Sequence, residues 1–234
     1  GKVANQRAVL MRALRDYGTE YTPETRERVE QTTHCMARII QQAEFGDETP
    51  DTLRGLEGEA ASLYFGQFNV LIRVTEPEMR FRGRSRRPPL DAVNALLSFL
   101  YTLLTHECRS ALESVGLDPA VGFLHRDRPG RPSLALDLME EMRPVLADRL
   151  ALSLINRRQV DPKDFETREG GAVMMRDEAR RTVLTAWQER KRDEPRHAFL
   201  EETIPLGLVP WVQALLLARH VRGDLDAYPP WFWS

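Results

Sequence analysis

Cysteine is nearly missing from this chain: Cys35 and Cys108 are the only two in 234 residues, and both fall inside helical patterns. Neither has partner spacing for zinc or an iron–sulfur cluster, which excludes a disulfide framework and suits a reducing cytoplasm. Long apolar runs are also missing. The longest, Leu206 to Ala218, is broken by Pro210 and Gln213 and is too short to cross a bilayer, so no membrane segment is expected. Neither sign of charge dominates, since 33 basic side chains face 35 acidic ones. That excludes the overall basic signature of many nucleic-acid binders and directs attention to local runs. No repeat of fixed period and no long linker divides the chain, so residues 1–234 are expected to form one domain. There is no initiator methionine and no signal peptide, and helical periodicity starts within a few residues of Gly1, as in a fragment of a longer protein.

Helical signals fill most of what is there. Val3, Val9, Leu10 and Leu14 recur at helical spacing, with Gly18 placed as a stop. Thr22-Pro23 and Thr49-Pro50 each read as an N-cap followed by proline at the first helical position. The second helix runs through Val29, Cys35, Met36 and Ile39 to about Ala43. The third carries Leu53, Leu56, Ala60, Leu63 and Tyr64, which puts Glu57 at the edge of its apolar stripe. Gly55 and Gly58 flank Glu57. Each weakens a helix by about 1 kcal/mol relative to alanine, a cost expected where another backbone or a ligand comes close. Phe65 to Thr75 fits either a helix tail or a short strand.

From Leu90 to Val115 the pattern is apolar around most of the helix, the mark of burial on nearly all sides. Its polar residues Asn94, Ser98, Tyr101 and Thr105 share one stripe, either a hydrogen-bonded core seam or a cleft wall; His106 and Cys108 are expected to pack. Pro144 should break or kink the helix before it, and a further helix runs from Leu146 to Ile155. Phe165 to Met175, centred on Gly170-Gly171, reads as a small hairpin before a helix from about Asp177 to Arg192. Leu208 to Arg222 is the last helix, and the aromatic tail from Tyr228 to Trp233 is expected to pack on the domain. The fold class that follows is all-α with one short β-hairpin.

Two stretches suggest chemistry. Arg80 to Pro89 holds five arginines and no acid, fitting either a solvated loop or a phosphate-contacting segment built on Arg84, Arg86 and Arg87. Gly122 to Arg143 reads as a loop with His125, Arg126, Arg128 and Arg131, leading into a helix capped by Ser133. Spacings of three and four put Asp137, Glu140 and Glu141 on one stripe, opposite Leu134, Leu138, Met139 and Met142. Acids in the first turns of a helix are also what its positive end favours, so on pattern alone an ordinary helix start fits as well. An imidazole, a carboxylate stripe and nearby guanidinium groups are together what a hard divalent cation and a phosphate need.

Assembled, these stretches resemble CRISPR-associated protein one, the integrase of CRISPR adaptation, in its subtype I-C version. The resemblance runs essentially end to end and rests on Gly1-Lys-Val-Ala-Asn5, Leu53-Arg-Gly-Leu-Glu-Gly-Glu-Ala-Ala61, Gly83-Arg-Ser-Arg-Arg-Pro-Pro89, Val93-Asn-Ala-Leu-Leu-Ser98, Val121-Gly-Phe-Leu-His125, Arg128 to Glu141, and Tyr228-Pro-Pro230. It implies a helical catalytic domain, with the family's N-terminal β-rich domain missing from this chain. It implies Glu57, His125 and Glu140 as ligands of Mg2+ or Mn2+, Asp137 as a supporting acid, and Tyr101 as a hydroxyl lining the cleft. Asp137, Glu140 and Glu141 stay open as alternatives for the last ligand. Arg84, Arg86, Arg87, Arg126 and Arg131 are expected on the DNA backbone.

The activity implied is joining of the 3′-hydroxyl of a captured spacer fragment to a CRISPR repeat by transesterification, or hydrolysis when water attacks instead. Double-stranded DNA, a homodimer within a complex with CRISPR-associated protein two, and CRISPR-associated protein four are the implied partners, in the cytoplasm. The alternative is a non-catalytic helical DNA-binding or scaffold subunit of the adaptation complex.

Overall fold

The computed structural model describes residues 1–46, 49–85, 87–126 and 128–233. The described elements are helices α1 (Lys2–Tyr17), α2 (Pro23–Phe45), α3 (Pro50–Gly66), the single turn α4 (Phe68–Leu71), α5 (Ala92–Ser114), α6 (Ser133–Glu140), α7 (Arg149–Asn156), α8 (Asp177–Arg190) and α9 (Val209–Val221). Both Thr-Pro signals work as read. Thr22 Oγ1 accepts from the Thr25 amide at 3.2 Å and Thr49 Oγ1 from Thr52 at 3.3 Å, each ahead of a proline whose missing N–H costs nothing there.

α5 is the central pillar. Asp91 caps it by accepting from the Asn94 amide at 2.7 Å, and Leu96, Leu97, Leu100, Leu104 and Leu112 are fully buried along it. α6, α7, α9 and the segment after α6 pack around it. Truncating any one of those leucines to alanine removes about 2–5 kcal/mol. Most of the polar seam is spent inside the protein: Asn94 closes the 83–85 loop through the Gly83 carbonyl and the Ser85 amide, and Thr105 donates to its own helix. His106 is exposed rather than packed, and Cys35 is half-exposed while Cys108 is buried.

Pro144 does not break the chain's path. It has no N–H to donate, and the backbone widens into a π-helical segment, Arg143–Asp148, that runs directly into α7. The wider turn carries Arg143 and Asp148 into the interior, where both are buried. The segment after α3 settles the ambiguity at Phe65: one helical turn, α4, and then extended chain from Ile72.

The expected hairpin forms between β1 (Phe165–Thr167) and β2 (Val173–Met175), antiparallel with Glu166 opposite Met174. A second hairpin pairs β3 (Arg196–His197) with β4 (Glu202–Thr203), which the periodicity does not suggest. The aromatic tail packs. Trp231 is buried, its carbonyl accepts from Asn5 Nδ2 at 3.0 Å, and the Trp233 amide donates to Asn5 Oδ1 at 2.8 Å. α1 is thereby strapped to the C-terminus.

Candidate metal centre

The 122–125 loop is wound around one carboxylate. Asp137, on the second turn of α6, accepts from the amides of Phe123 at 2.6 Å, Leu124 at 3.0 Å and His125 at 3.0 Å. The loop can close this tightly because residue 122 is glycine: a Cβ there would lie 2.7 Å from both the His125 carbonyl and Ser133 Cβ. His125 Nδ1 also donates to Asp137 Oδ1, at 2.6 Å. That bond fixes the ring and its tautomer, leaving Nε2 with its lone pair as the nitrogen available to a cation. Ser133 is not the expected cap. It is already the first residue of α6, and its hydroxyl donates to the Arg126 carbonyl at 3.2 Å.

Glu57 on α3 and Glu140 at the end of α6 meet through a residue absent from the sequence-based set. Lys2, in the first turn of α1, donates from Nζ to Glu57 Oε1 and lies 2.7 Å from Glu140 Oε2. The other oxygen of Glu140 accepts from Arg143. Burial pushes the Glu140 carboxyl up, but Arg143 and Lys2 outweigh it and hold the group down at about 2. Glu140 Oε2 is nevertheless buried without an aligned hydrogen bond, an acceptor left over beside the ammonium.

Arg143 is in turn held from behind. Its guanidinium lies 4.2 Å from the Tyr101 ring, and Tyr101 donates to Asp148 Oδ1 at 2.5 Å. Burial pushes the Asp148 carboxyl up, with Arg143 and Tyr101 opposing. Tyr101 does not line the cleft as expected; the structure places it one side chain further back, buried, with its hydroxyl spent on Asp148. Glu141 turns away from α6's acid stripe, because one residue of helix rotates a side chain by about 100°. Its carboxylate accepts from Tyr228 Oη, from the Trp231 amide at 2.6 Å and from Gln213 Nε2 at 3.2 Å.

Glu57, His125, Asp137, Glu140 and Glu141 therefore line a single cavity of ≈ 470 Å³, whose other wall is apolar and includes Ile39, Leu53 and Leu138. They share the space without yet closing on one point: among the described residues, no three His, Cys, Asp or Glu side chains are grouped tightly enough to hold an ion. Lys2 stands between the two glutamates instead. Gly55 and Gly58 do not admit another backbone, since a Cβ at either would meet nothing within 4 Å.

The arginines are dispersed. Arg126 is exposed, 3.1 Å from Asp51; Arg131 is half-buried, and Arg87 is exposed. Arg84 is engaged locally, donating to Asn94 Oδ1 at 2.6 Å and to the Ser85 carbonyl at 2.7 Å. Arg86 lies outside the described residues. Sequence reasoning misses Lys2, Arg143 and Asp148. Arg143, three residues after Glu140, is detectable as a helical ion pair, whereas Lys2 is 55 residues from Glu57 and carries no local signal.

No described helix is long and apolar enough to cross a membrane. The family model for CRISPR associated protein Cas1 matches residues 1–189. The chain is 69% identical over 234 residues to the CRISPR-associated endonuclease Cas1 2 of Rhodospirillum rubrum, covering 100% of this chain and 68% of that protein. It is 54% identical over 233 residues to the CRISPR-associated endonuclease Cas1 1 of Chlorobaculum tepidum, covering 100% of this chain and 67% of the relative. Among solved structures, a chain of a partial Cas6-RT-Cas1–Cas2 complex superposes with a TM-score of 0.74 at 27% identity, over 100% of this chain and 68% of that one. With the model matching most of its length and a relative this similar along all of it, the chain belongs to the Cas1 family of CRISPR associated proteins.

Proposed function

We propose that this chain is the catalytic portion of a divalent-metal-dependent DNA endonuclease and integrase of CRISPR adaptation, of the subtype I-C kind. Glu57, His125 and Glu140 hold Mg2+ or Mn2+, and Asp137 orients His125. One observation carries the reading: side chains from α3, the 122–125 loop and α6 line one cavity, and its two glutamates already share a single cation, Lys2. The donor set fits the ion. Two carboxylates and one imidazole suit Mg2+ or Mn2+, and Glu140 Oε2, buried and facing the Lys2 ammonium without an aligned hydrogen bond, is the kind of atom a cation satisfies.

When bound, the ion supplies Lewis-acid polarisation of the scissile phosphodiester and charge neutralisation at the leaving oxygen. The chain's own residues do the positioning. Asp137 keeps His125 in one tautomer, Arg143 keeps Glu140 ionised and aimed, and Tyr101 with Asp148 braces Arg143. The reaction is transesterification. The 3′-oxygen of a captured DNA end forms a new P–O bond at the edge of a CRISPR repeat, the bond to the existing 3′-oxygen breaks, and the proton of the attacking hydroxyl passes to solvent or the leaving oxygen. Water as nucleophile gives cleavage instead. Arg84, Arg86, Arg87, Arg126 and Arg131 contact the DNA backbone, where neutralising phosphate is their general use.

The expected assembly is a homodimer within a larger cytoplasmic complex with Cas2 on double-stranded DNA, with CRISPR-associated protein four as a further partner. The solved Cas1–Cas2 complex with which the chain superposes supports the Cas2 partner. The test is strand transfer by the full-length protein with Cas2. Alanine at Glu57, His125 or Glu140 should abolish Mn2+-dependent joining with the circular dichroism spectrum unchanged, and full joining by His125→Ala would overturn the assignment.

A further inference from the structure

We propose that Lys2 is a resident counter-cation of this site: its ammonium holds Glu57 and Glu140 together before an ion arrives and must move out for the ion to enter. The inference rests on the metal-site reading above and adds a residue to it.

Three features carry it. First, Lys2 Nζ contacts Glu57 Oε1 and Glu140 Oε2 at once, so it engages one oxygen of each proposed carboxylate ligand. Second, the ammonium is enclosed: the Lys2 and Glu140 side chains are only 12% and 14% exposed and Glu57 26%, so the charges meet where water screens them only in part. Arg143 neutralises Glu140 from the protein side, but among the described residues Lys2 is the one cation paired with Glu57. Without that ammonium the two carboxylates would face each other as uncompensated like charges, the field a divalent ion answers. Third, the donors are grouped around an ammonium rather than around a point His125 could share, which explains why no three ligands yet converge among the described residues.

A divalent ion held by the same two glutamates would repel a positive ammonium a few ångströms away, so the two cations would compete for these carboxylates. Lysine suits an exchangeable role, because its charge is compact and sits on a flexible four-carbon stem, unlike the forked and braced Arg143. The backbone of α1 stays fixed by Asn5, whose Nδ2 donates to the Glu141 carbonyl at 2.7 Å. Only the Lys2 side chain has to swing. The positive charge it carries away remains tethered beside the cavity, available to an incoming phosphate.

The direct test is amine acylation of the full-length protein, read by peptide mass spectrometry with and without Mn2+, while electron paramagnetic resonance follows Mn2+ binding. Saturating Mn2+ should raise the labelling rate of Lys2 by about tenfold, in proportion to the fraction of sites it opens, and leave that of Lys163 unchanged. Lys2→Met should bind Mn2+ about tenfold more tightly because it removes the competitor, whereas Lys2→Arg should not. A Lys2 that stays protected while Mn2+ is bound, or a Lys2→Met protein with unchanged or weaker affinity, overturns the inference and leaves the metal site standing. If Lys2→Met fails to fold, the labelling of the wild-type protein decides alone. Mn2+ binding that is absent, or indifferent to His125→Ala, overturns the site reading itself.

Discussion

Glu140 and Glu141, neighbours at the end of α6, both line the cavity, but Glu140 has Lys2 and Arg143 on its oxygens, whereas Glu141 is held by Tyr228, Gln213 and the Trp231 amide. Both are enclosed, and their carboxyls are displaced in opposite directions. Burial raises both, but cations reverse the effect at Glu140 and bring it to about 2, while the neutral donors around Glu141 leave it above its ordinary value. Neutralisation by cations on long side chains is exchangeable. Satisfaction by hydrogen bonds from a packed tail is not, so the first glutamate is suited to trade partners with an ion and the second to hold the fold.

The contrast can be broken most directly by amide substitution at each position. Glu140→Gln should lower Mn2+-dependent DNA cleavage by about 10²–10³-fold, since several kcal/mol of charge stabilisation depend on the ligand. Glu141→Gln should leave Mn2+ affinity within about twofold but cost about 1–3 kcal/mol in urea unfolding, because the new amide faces donors that need an acceptor. An activity loss confined to the second variant would reverse the roles. Asp137→Asn should weaken Mn2+ binding by about 10–100-fold, the usual loss when the partner orienting a histidine ligand is removed; calorimetric titration checks it.

The pH dependence sharpens the same comparison. Glu140 is depressed from 4.5 to about 2, so its stabilisation is complete above pH 4.5 and is lost as pH falls toward 2. Glu141 is raised, so its contribution is present below 4.5 and is lost as pH climbs through its folded value. Acid unfolding of Glu140→Gln should therefore lose up to about 1.4 kcal/mol per pH unit of slope between pH 4.5 and 2. The smallest effect belongs to the surface arginines. Replacing Arg126 and Arg131 with glutamine should flatten the slope of log binding constant against log salt by about 0.9 for each DNA phosphate left without a cation.

How much of this is legible in the sequence depends on how local its cause is. Thr22, Thr49 and the apolar girth of α5 are short-range signals, and the helices they imply are present. So is the hairpin at Gly170-Gly171. Ser133 fails as a cap because the proline before it is already turned into the helix start and its hydroxyl finds the Arg126 carbonyl instead. Pro144 suggests a break, and the chain absorbs it as a π-helical turn that sequence periodicity does not encode. Glu57, His125, Asp137 and Glu140 can be named from motifs, and they share a cavity. Lys2 cannot, because its place opposite Glu57 is set by how α1 lies against α3, and Tyr101 is misjudged because the seam of α5 points at Asp148 rather than at the opening.

The account turns on Glu57, His125 and Glu140 serving one ion, and an anomalous difference map from crystals of the full-length protein soaked in Mn2+ tests it most directly. The account predicts one strong peak about 2.0–2.6 Å from His125 Nε2 and from an oxygen of each glutamate, with Lys2 Nζ moved away. A cavity without a peak, or a peak that leaves His125 untouched, would contradict it.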